Sequence, residues 1–305
     1  MASDEGLQAM TNRKKPKAGG GLLSALAPAR MFGGAPDKRR PVKLASDLEL
    51  FCVDRGRGAP IVFMPGFTFS GEVFEHQIEP FSKDRRVVVI DPRSHGRSSK
   101  TADGNNYPQH GHDLNNLFEK LGLEDITLVA WSFGALSAWS YAEQYGLDRL
   151  KRFVCVDMPP VPMSANENDW VEASVADLAG GYHVLLTPEG QRGFMGHYAR
   201  EVMVQRDLTD QEFDWLMDIS LQTPTAAVKD LYASGLFSNY LETAKRIAAR
   251  VPTMFFLAEH WAETALAYVQ RETPEASHKV LGGHMMFWEH PMEFNAALSA
   301  FLNET

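Results

Sequence analysis

The sequence predicts an α/β protein with a mostly parallel sheet, into which a helical segment is inserted. Short, continuously apolar stretches alternate with amphipathic helical patterns along the chain. Apolar strands alternating with helices indicate a parallel sheet that is covered on both faces. The alternation stops at residues 160–240, which are polar, helical and rich in aromatic residues and Met. We therefore predict a core formed by residues 43–159 and 241–305, and a helical lid at 160–240.

The individual elements follow from the hydrophobic patterns in chain order. Strands are predicted at residues 48–53, 61–64, 86–90, 126–129 and 153–157, with helices at 72–81, 113–121 and 135–145 between them. Beyond the lid, a strand is predicted at 252–257, a last strand at 278–281 and a closing helix at 291–302.

The charge distribution separates the first residues from the rest of the chain. Residues 1–40 contain eight Lys or Arg and three acids, so they carry +5, while the whole chain carries −9 and the remainder therefore −14. We predict a flexible basic tail over residues 1–42. The acidic body is not expected to bind nucleic acid.

Cysteine usage and hydropathy bear on the cellular compartment. Cys52 and Cys155 lie in apolar strand patterns, which favours core thiols in a reducing compartment over a disulfide. No apolar run reaches the roughly 18 residues of a membrane span, so we expect no stable membrane insertion. A basic run at 13–17 and an apolar stretch at 22–29 are only weakly similar to a signal peptide, because the apolar part is short and interrupted. We expect a cytoplasmic protein; the oligomeric state is not indicated.

A tight strand-to-helix turn is predicted at residues 130–134, whose sequence is AWSFG. It follows a buried strand pattern and opens a helical one, which is the context of the nucleophile motif G-x-S-x-G. Because the turn is sharp, the residues two before and two after the serine must be small, and they are Ala130 and Gly134. The turn would aim the Oγ of Ser132 into open space beside the N–H groups of a helix N-terminus. We interpret Ser132 as a catalytic nucleophile.

A serine nucleophile needs a base within hydrogen-bond reach. Among the ten histidines, His284 has the most suitable context. It follows two glycines in the loop after the last strand, at the same edge of the predicted sheet as Ser132. The apolar residues from Met285 onward would keep its imidazole ring dry. We therefore predict His284 as the base.

The acid that orients the imidazole has more than one candidate. Its common place is the loop after the strand at 252–257, but Trp261 stands where an Asp is expected, flanked by Glu259 and Glu263. Asp157 closes the preceding strand and would point toward the same loop as His284. We favour Asp157 as the acid, with Glu263 or Glu259 as the alternative.

A tetrahedral oxyanion needs two preorganised N–H donors. One is predicted to be the backbone N–H of Phe133, directly after the nucleophile. The second is predicted to be that of Phe67, in the turn PGF that breaks the second strand. Gly66 would let this backbone turn its N–H inward.

These motifs together resemble the α/β-hydrolase superfamily, over residues 43–305. The resemblance rests on PGF at 65–67, DPRSHGRS at 91–98, AWSFG at 130–134, GH at 283–284 and EHP at 289–291. It implies an eight-stranded, mostly parallel sheet with a helical lid between strands six and seven. It also implies that Ser132 is the nucleophile, that His284 is the base and that the loop 91–98 is structural. Some branches, including certain lactone hydrolases, carry the acid after strand six, where Asp157 stands.

The resemblance implies hydrolysis of a hydrophobic ester, thioester or lactone through an acyl-enzyme. Trp131, Phe69 and Met285, together with aromatic residues of the lid, are predicted to bind the substrate. No phosphate loop, zinc spacing or dinucleotide motif is found in the sequence, so we expect no cofactor and no metal. The expected partner is a small hydrophobic molecule.

The type of nucleophile distinguishes a serine hydrolase from other enzymes with this fold. Haloalkane dehalogenases and epoxide hydrolases need a carboxylate nucleophile, where this chain has Ser132. Two alternatives stay open: a cofactor-free dioxygenase of ring heterocycles, in which the serine is not acylated, and a hydrolase-like ligand receptor.

Overall fold

One eight-stranded sheet forms the centre of the computed structural model, which describes residues 37–166 and 168–304. Its strands are β1 (Asp37–Lys43), β2 (Glu49–Gly56), β3 (Pro60–Met64), β4 (Arg86–Ile90), β5 (Ile126–Trp131), β6 (Leu150–Val156), β7 (Thr253–Leu257) and β8 (Ser277–Val280). The strand order is β1-β2-β4-β3-β5-β6-β7-β8. β2 pairs antiparallel with β1 and β4, and the other neighbours pair in parallel. The predicted mostly parallel, eight-stranded sheet is therefore confirmed.

Helices flank this sheet and alternate with its strands. They are α1 (Glu75–Phe81), α2 (Tyr107–Leu121), α3 (Gly134–Tyr145), α4 (Val175–Val184), α5 (Pro188–Tyr198), α6 (Asp210–Ser220), α7 (Thr225–Leu236), α8 (Leu241–Arg250), α9 (Ala262–Glu272), α10 (Met286–Glu289) and α11 (Pro291–Asn303). Short 3₁₀ turns lie at Gly71–Phe74 and Glu259–Trp261. None of the helices in the described part of the chain combines the length and hydrophobicity that a bilayer crossing requires.

The central strands are continuously apolar because both of their faces are covered. All six residues of β5 are buried, as are the last four residues of β3 and of β4. This is the pattern expected of parallel strands between two helical layers. Cys52 and Cys155 are buried free thiols in this core, as predicted.

The N-terminal boundary of the fold lies earlier than predicted. The predicted tail covered residues 1–42, of which 1–36 lie outside the described residues. Residues 37–42 belong to β1, which pairs with β2 from Asp37 opposite Arg55 to Lys43 opposite Glu49. The prediction was wrong here because charged side chains mask the strand pattern, and charge is typical of a sheet edge.

Helix α2 also begins earlier than the predicted residue 113. The side chain of Asn106 accepts a hydrogen bond from the N–H of Gln109 (2.9 Å), so it caps the helix. Pro108 lies in the first turn, where its missing N–H does no harm. These start signals, rather than the apolar positions alone, set the boundary.

The segment between β6 and β7 is helical, and its two ends meet. It contains α4 to α7 and a π-helical turn at Ala199–Met203, followed by α8. The N–H of Tyr240 donates to the carbonyl of Pro160 (2.9 Å). The segment therefore leaves the sheet and returns to it at nearly the same point, close to the lid boundaries predicted from the sequence.

Candidate active site

Ser132 occupies the turn between β5 and α3. Its φ angle is +53°, in the left-handed region that non-glycine residues rarely adopt. The N–H of Ser132 donates to the carbonyl of Val156 (2.8 Å), which ties the turn to β6. A Cβ atom added to Gly134 would lie 2.4 Å from the carbonyl oxygen of Pro65. The small residue two positions after the serine is therefore required by the close passage of the chain after β3.

His284 meets this serine from the loop after β8. Its Nε2 lies 2.9 Å from the Oγ of Ser132, and its Nδ1 lies 2.6 Å from the Oδ2 of Asp157. The side chains of His284 and Asp157 are fully buried. The structure thus brings together the three residues that the sequence analysis favoured as nucleophile, base and acid.

Asp157 lies directly after β6, also with a positive φ angle of +58°. Its Oδ1 accepts hydrogen bonds from the N–H of Ala258 and from the indole Nε1–H of Trp261, both at 2.8 Å. With His284 on Oδ2, each carboxylate oxygen has at least one donor. This arrangement compensates the loss of solvent around a buried carboxylate.

The alternative acids are placed elsewhere. Glu259 accepts hydrogen bonds from the Nε2 of Gln205 (3.0 Å) and the N–H of Gly282 (3.3 Å), and Glu263 is exposed in the first turn of α9. Neither carboxylate contacts His284. Trp261 stands in the common acid position and donates a hydrogen bond to the acid at the end of the neighbouring strand, a role that no sequence pattern indicated.

The turn after β3 passes directly beside the serine. A Cβ atom on Gly66 would lie 2.8 Å from the Cβ of Ser132. Within the described residues, the backbone N–H groups of Phe67 and Phe133 have no hydrogen-bond partner. The rings of these two residues are 5.6 Å apart. Two unpaired N–H groups flanking the serine are what an oxyanion site requires.

His95 supports the turn from the loop 91–98. Its Nε2 accepts the N–H of Thr68 (3.2 Å), and its Nδ1 lies 2.7 Å from the carbonyl of Arg93. Since Nε2 accepts, Nδ1 carries the proton and the ring is neutral. Burial lowers the pKa of His95 to about 3, which favours the same state. The loop therefore has the structural role that was predicted for it.

Residues 59–183 match the family model described as the α/β-hydrolase fold. Over these residues the chain is similar to that family, and its eight-stranded sheet has the α/β-hydrolase fold. Non-heme chloroperoxidase CPO-A1 of Kitasatospora aureofaciens is 34% identical over 133 residues, which are 43% of this chain and 48% of that protein. The bifunctional esterase/perhydrolase DCH of Acinetobacter calcoaceticus is 30% identical over 125 residues, 40% of this chain and 45% of that protein. The match spans about half the length of these relatives.

Solved structures of this α/β-hydrolase fold superimpose over most of the chain. A bromoperoxidase from Bacillus anthracis has a TM-score of 0.80 and 21% identity, covering 88% of this chain and all of that one. An esterase from Exiguobacterium antarcticum has a TM-score of 0.76 and 18% identity, covering 84% and 96%. At such low sequence identities, the structural similarity shows only that the fold is shared.

The residues predicted to bind substrate pack behind the histidine of the α/β-hydrolase site. Trp131 and Met285 have no exposed surface, and Phe69 has 1%. The ring of Trp131 lies 5.4 Å from that of His284, and its Nε1–H donates to the His284 carbonyl (2.9 Å). Trp131 therefore supports the histidine loop, and Phe69 packs against Trp131 with ring centres 5.4 Å apart. The role of these three side chains in substrate binding stays a prediction.

The helical insertion contacts the histidine loop through its own backbone. The N–H of His284 donates to the carbonyl of Val202 (3.2 Å), and that of Met285 to Met203 (2.7 Å). The carboxylate of Glu289 accepts the N–H groups of Gln205 (2.7 Å) and Gly283 (2.8 Å), one from each side. The π-helical turn and the segment after it therefore hold the loop that carries the histidine.

Proposed function

We propose that this α/β-hydrolase is a serine hydrolase that cleaves a hydrophobic ester, thioester or lactone through an acyl-enzyme. The proposal is carried by one observation, the chain of hydrogen bonds from Ser132 Oγ through His284 to Asp157 at 2.9 Å and 2.6 Å. Both distances are within the range for proton transfer and for orientation of the imidazole.

The first half-reaction acylates the serine. The Oγ of Ser132 attacks the carbonyl carbon of the substrate while Nε2 of His284 takes its proton, and Asp157 stabilises the imidazolium. The N–H groups of Phe67 and Phe133 donate to the oxyanion. When the tetrahedral intermediate collapses, the imidazolium returns the proton to the leaving alcohol or thiol, and the acyl group stays on Ser132.

The second half-reaction releases the acid. His284 removes a proton from a water molecule, whose oxygen attacks the acyl carbon of the ester to Ser132. The proton then returns to the Oγ of Ser132 as the carboxylic acid leaves. For a lactone, the alcohol and the acid are parts of one product, a hydroxy acid.

A fluorophosphonate probe tests the proposal. It should label Ser132 in the native protein, and Ser132→Ala should abolish both labelling and turnover. A screen of p-nitrophenyl esters and lactones of graded size would then define the acyl group. An unlabelled serine together with unchanged turnover by Ser132→Ala would exclude the acyl-enzyme.

A second candidate uses the same acyl-enzyme with hydrogen peroxide in place of water. Two relatives are named a non-heme chloroperoxidase and an esterase/perhydrolase, which favours it. Hydrogen peroxide would attack the acyl carbon and leave as a peroxy acid, which returns Ser132 to its free form. Iodide oxidation that requires ester, peroxide and Ser132 together would support this reaction.

The dioxygenase and receptor alternatives are separated by the same variants. A dioxygenase should retain turnover with oxygen uptake in Ser132→Ala, because its serine is not acylated. A receptor should retain tight ligand binding in both Ser132→Ala and His284→Ala.

A further inference from the structure

The residue after the first predicted oxyanion donor has a strained backbone. The N–H of Phe69 donates to the carbonyl of Gly66 (3.2 Å), so residues 66–69 form a β-turn with Thr68 in its third position. Thr68 has a φ angle of +66°, whereas Phe67 has no positive φ. This combination is a type II turn, which favours Gly or Asn in the third position. A β-branched residue persists there only where its surroundings hold it in place.

All three polar groups of Thr68 are bonded to residues outside the turn. Its N–H donates to the Nε2 of His95 (3.2 Å), and its carbonyl accepts the hydroxyl of Thr223 (3.0 Å). Its own hydroxyl oxygen lies 2.7 Å from the Oγ of Ser220. Thr68 and Ser220 have no exposed surface, and Thr223 has 1%. Because these groups are buried, the loss of one partner would leave a polar group unsatisfied.

Two of these three partners belong to the helical insertion. Ser220 is the last residue of α6, and Thr223 lies in the connection from α6 to α7. Helix α7 adds Tyr232, whose ring centre lies 5.6 Å from that of Phe67 and 6.4 Å from that of Phe133. The insertion therefore contacts both residues whose N–H groups are predicted to bind the oxyanion.

The turn has an alternative conformation that does not need a positive φ. A type I turn has a negative φ in its third position, which suits Thr. The two types differ in the direction of the central peptide, with ψ of the second residue changed by about 150°. Here that peptide joins Phe67 to Thr68, so the carbonyl of Phe67 would reverse beside the N–H proposed for the oxyanion. Ser132 and His284 take no part in the bonds of Thr68 and would keep their own hydrogen bond.

We propose that Thr68 is a positioning residue, through which Ser220 and Thr223 of the helical insertion hold the oxyanion donor at Phe67. The oxyanion site is then complete only while the α6–α7 connection is bonded to the turn. This inference rests on the proposed serine-hydrolase function and deepens it.

Substitutions on the two sides of the hydroxyl contact test the proposal with a p-nitrophenyl ester. Ser220→Ala and Thr68→Val each remove this contact. Each should lower kcat about tenfold with KM within about twofold, since loss of an oxyanion donor costs about 10²- to 10³-fold and two bonds to Thr68 remain. The combined variant leaves neither hydroxyl unpaired, and its kcat should equal that of the slower single variant because both remove one contact.

Two further variants separate positioning from general stability. Thr68→Ser keeps the hydroxyl and should retain kcat within about threefold of the native value. Ser238→Ala is the matched control, because it removes a hydrogen bond to the carbonyl of Ser234 (2.8 Å) elsewhere in the insertion. It should leave both kcat and KM unchanged, and thermal melts show which variants are folded.

Backbone NMR reports on the donor without turnover. Labelling with ¹³C-carbonyl Gly and ¹⁵N Phe selects Gly-Phe peptides, and the chain has only two, at 66–67 and 193–194. The signal that remains in Phe194→Tyr belongs to Phe67. We expect the N–H of Phe67 to shift in Ser220→Ala, in Thr68→Val and in their combination, and to stay in place in the control.

The two readouts together decide the inference. A kcat near the native value in folded Ser220→Ala, a signal of Phe67 that does not move, or an equal loss of kcat in Ser238→Ala overturns the positioning role of Thr68, even where the native protein hydrolyses esters. A native protein without ester turnover and without fluorophosphonate labelling of Ser132 counts against the hydrolase. A signal of Phe67 that moves in that protein still supports the coupling between the insertion and the turn.

Discussion

The indole N–H of Trp261 offers a direct test of how the acid is held. Trp261→Phe keeps an aromatic ring beside His284, whose ring centre lies 6.0 Å from that of Trp261, and removes the indole N–H that donates to Asp157. The Oδ1 atom of Asp157 then retains a single donor, the N–H of Ala258. The carboxylate gains freedom to rotate away from the imidazole.

The expected loss follows from the energy of one hydrogen bond. A hydrogen bond to a charged group contributes about 1.5–3 kcal/mol. Since about 1.4 kcal/mol corresponds to a tenfold change in rate, complete loss in the transition state would lower kcat by about 10- to 100-fold. The donor from Ala258 remains, so we expect a decrease of about tenfold with little change in KM.

Steady-state hydrolysis of a p-nitrophenyl ester measures this decrease, and a thermal melt shows that the variant is folded. Trp215→Phe is the matched control, because Trp215 stacks on Trp288 at 5.5 Å and makes no contact with Asp157. The proton on Nδ1 of His284 should also shift in the NMR spectrum of Trp261→Phe alone. A folded Trp261→Phe protein with kcat within twofold of the native value would refute a positioning role for Trp261.

Three further predictions concern the acid, the turn and a buried histidine. Asp157→Asn should lower turnover by about 10³ to 10⁴, and Glu263→Gln should change it less than about tenfold; the reverse order would move the acid to the other loop. Gly134→Ala should lower the free energy of unfolding, measured by urea titration, by about 1–3 kcal/mol, because the added methyl group would clash with the carbonyl oxygen of Pro65. Gly193→Ala is the control and should not destabilise the protein, because no atom of the described residues lies near the added methyl group. The pKa of His95 is lowered to about 3 in the folded protein, so the unfolded chain binds the proton more readily. His95 should therefore make the free energy of unfolding fall by up to about 1.4 kcal/mol per pH unit as pH drops from 6 to 4. A pH dependence of the free energy of unfolding that is the same in His95→Gln would contradict this.

The parts of the site that could be predicted are those that residues adjacent in sequence determine. The strand, the small residues and the helix around Ser132 are contiguous, so one short pattern carries the whole turn. The acid was ambiguous because its partner is remote: Asp157 and His284 are 127 residues apart. The hydrogen bond from Trp261 could not be predicted, since it depends on how two neighbouring strand ends face each other. Strand β1 could not be predicted because five of its seven residues are charged, and Val42 is the only buried residue among those whose burial is described.

The contact between the helical insertion and the histidine loop determines which parts of the insertion bear on the position of His284. The carbonyls of Val202 and Met203 accept N–H groups of the loop that carries His284, so the residues after α5 are part of the scaffold of the base. The ring of Tyr198, one turn earlier, lies 5.7 Å from the ring of His284. We therefore expect substitutions in this segment to disturb the position of the base. Helices α4 and α7 carry no hydrogen bond to that loop among the described residues. We therefore expect substitutions in these two helices to disturb the base less than substitutions at residues 198–205.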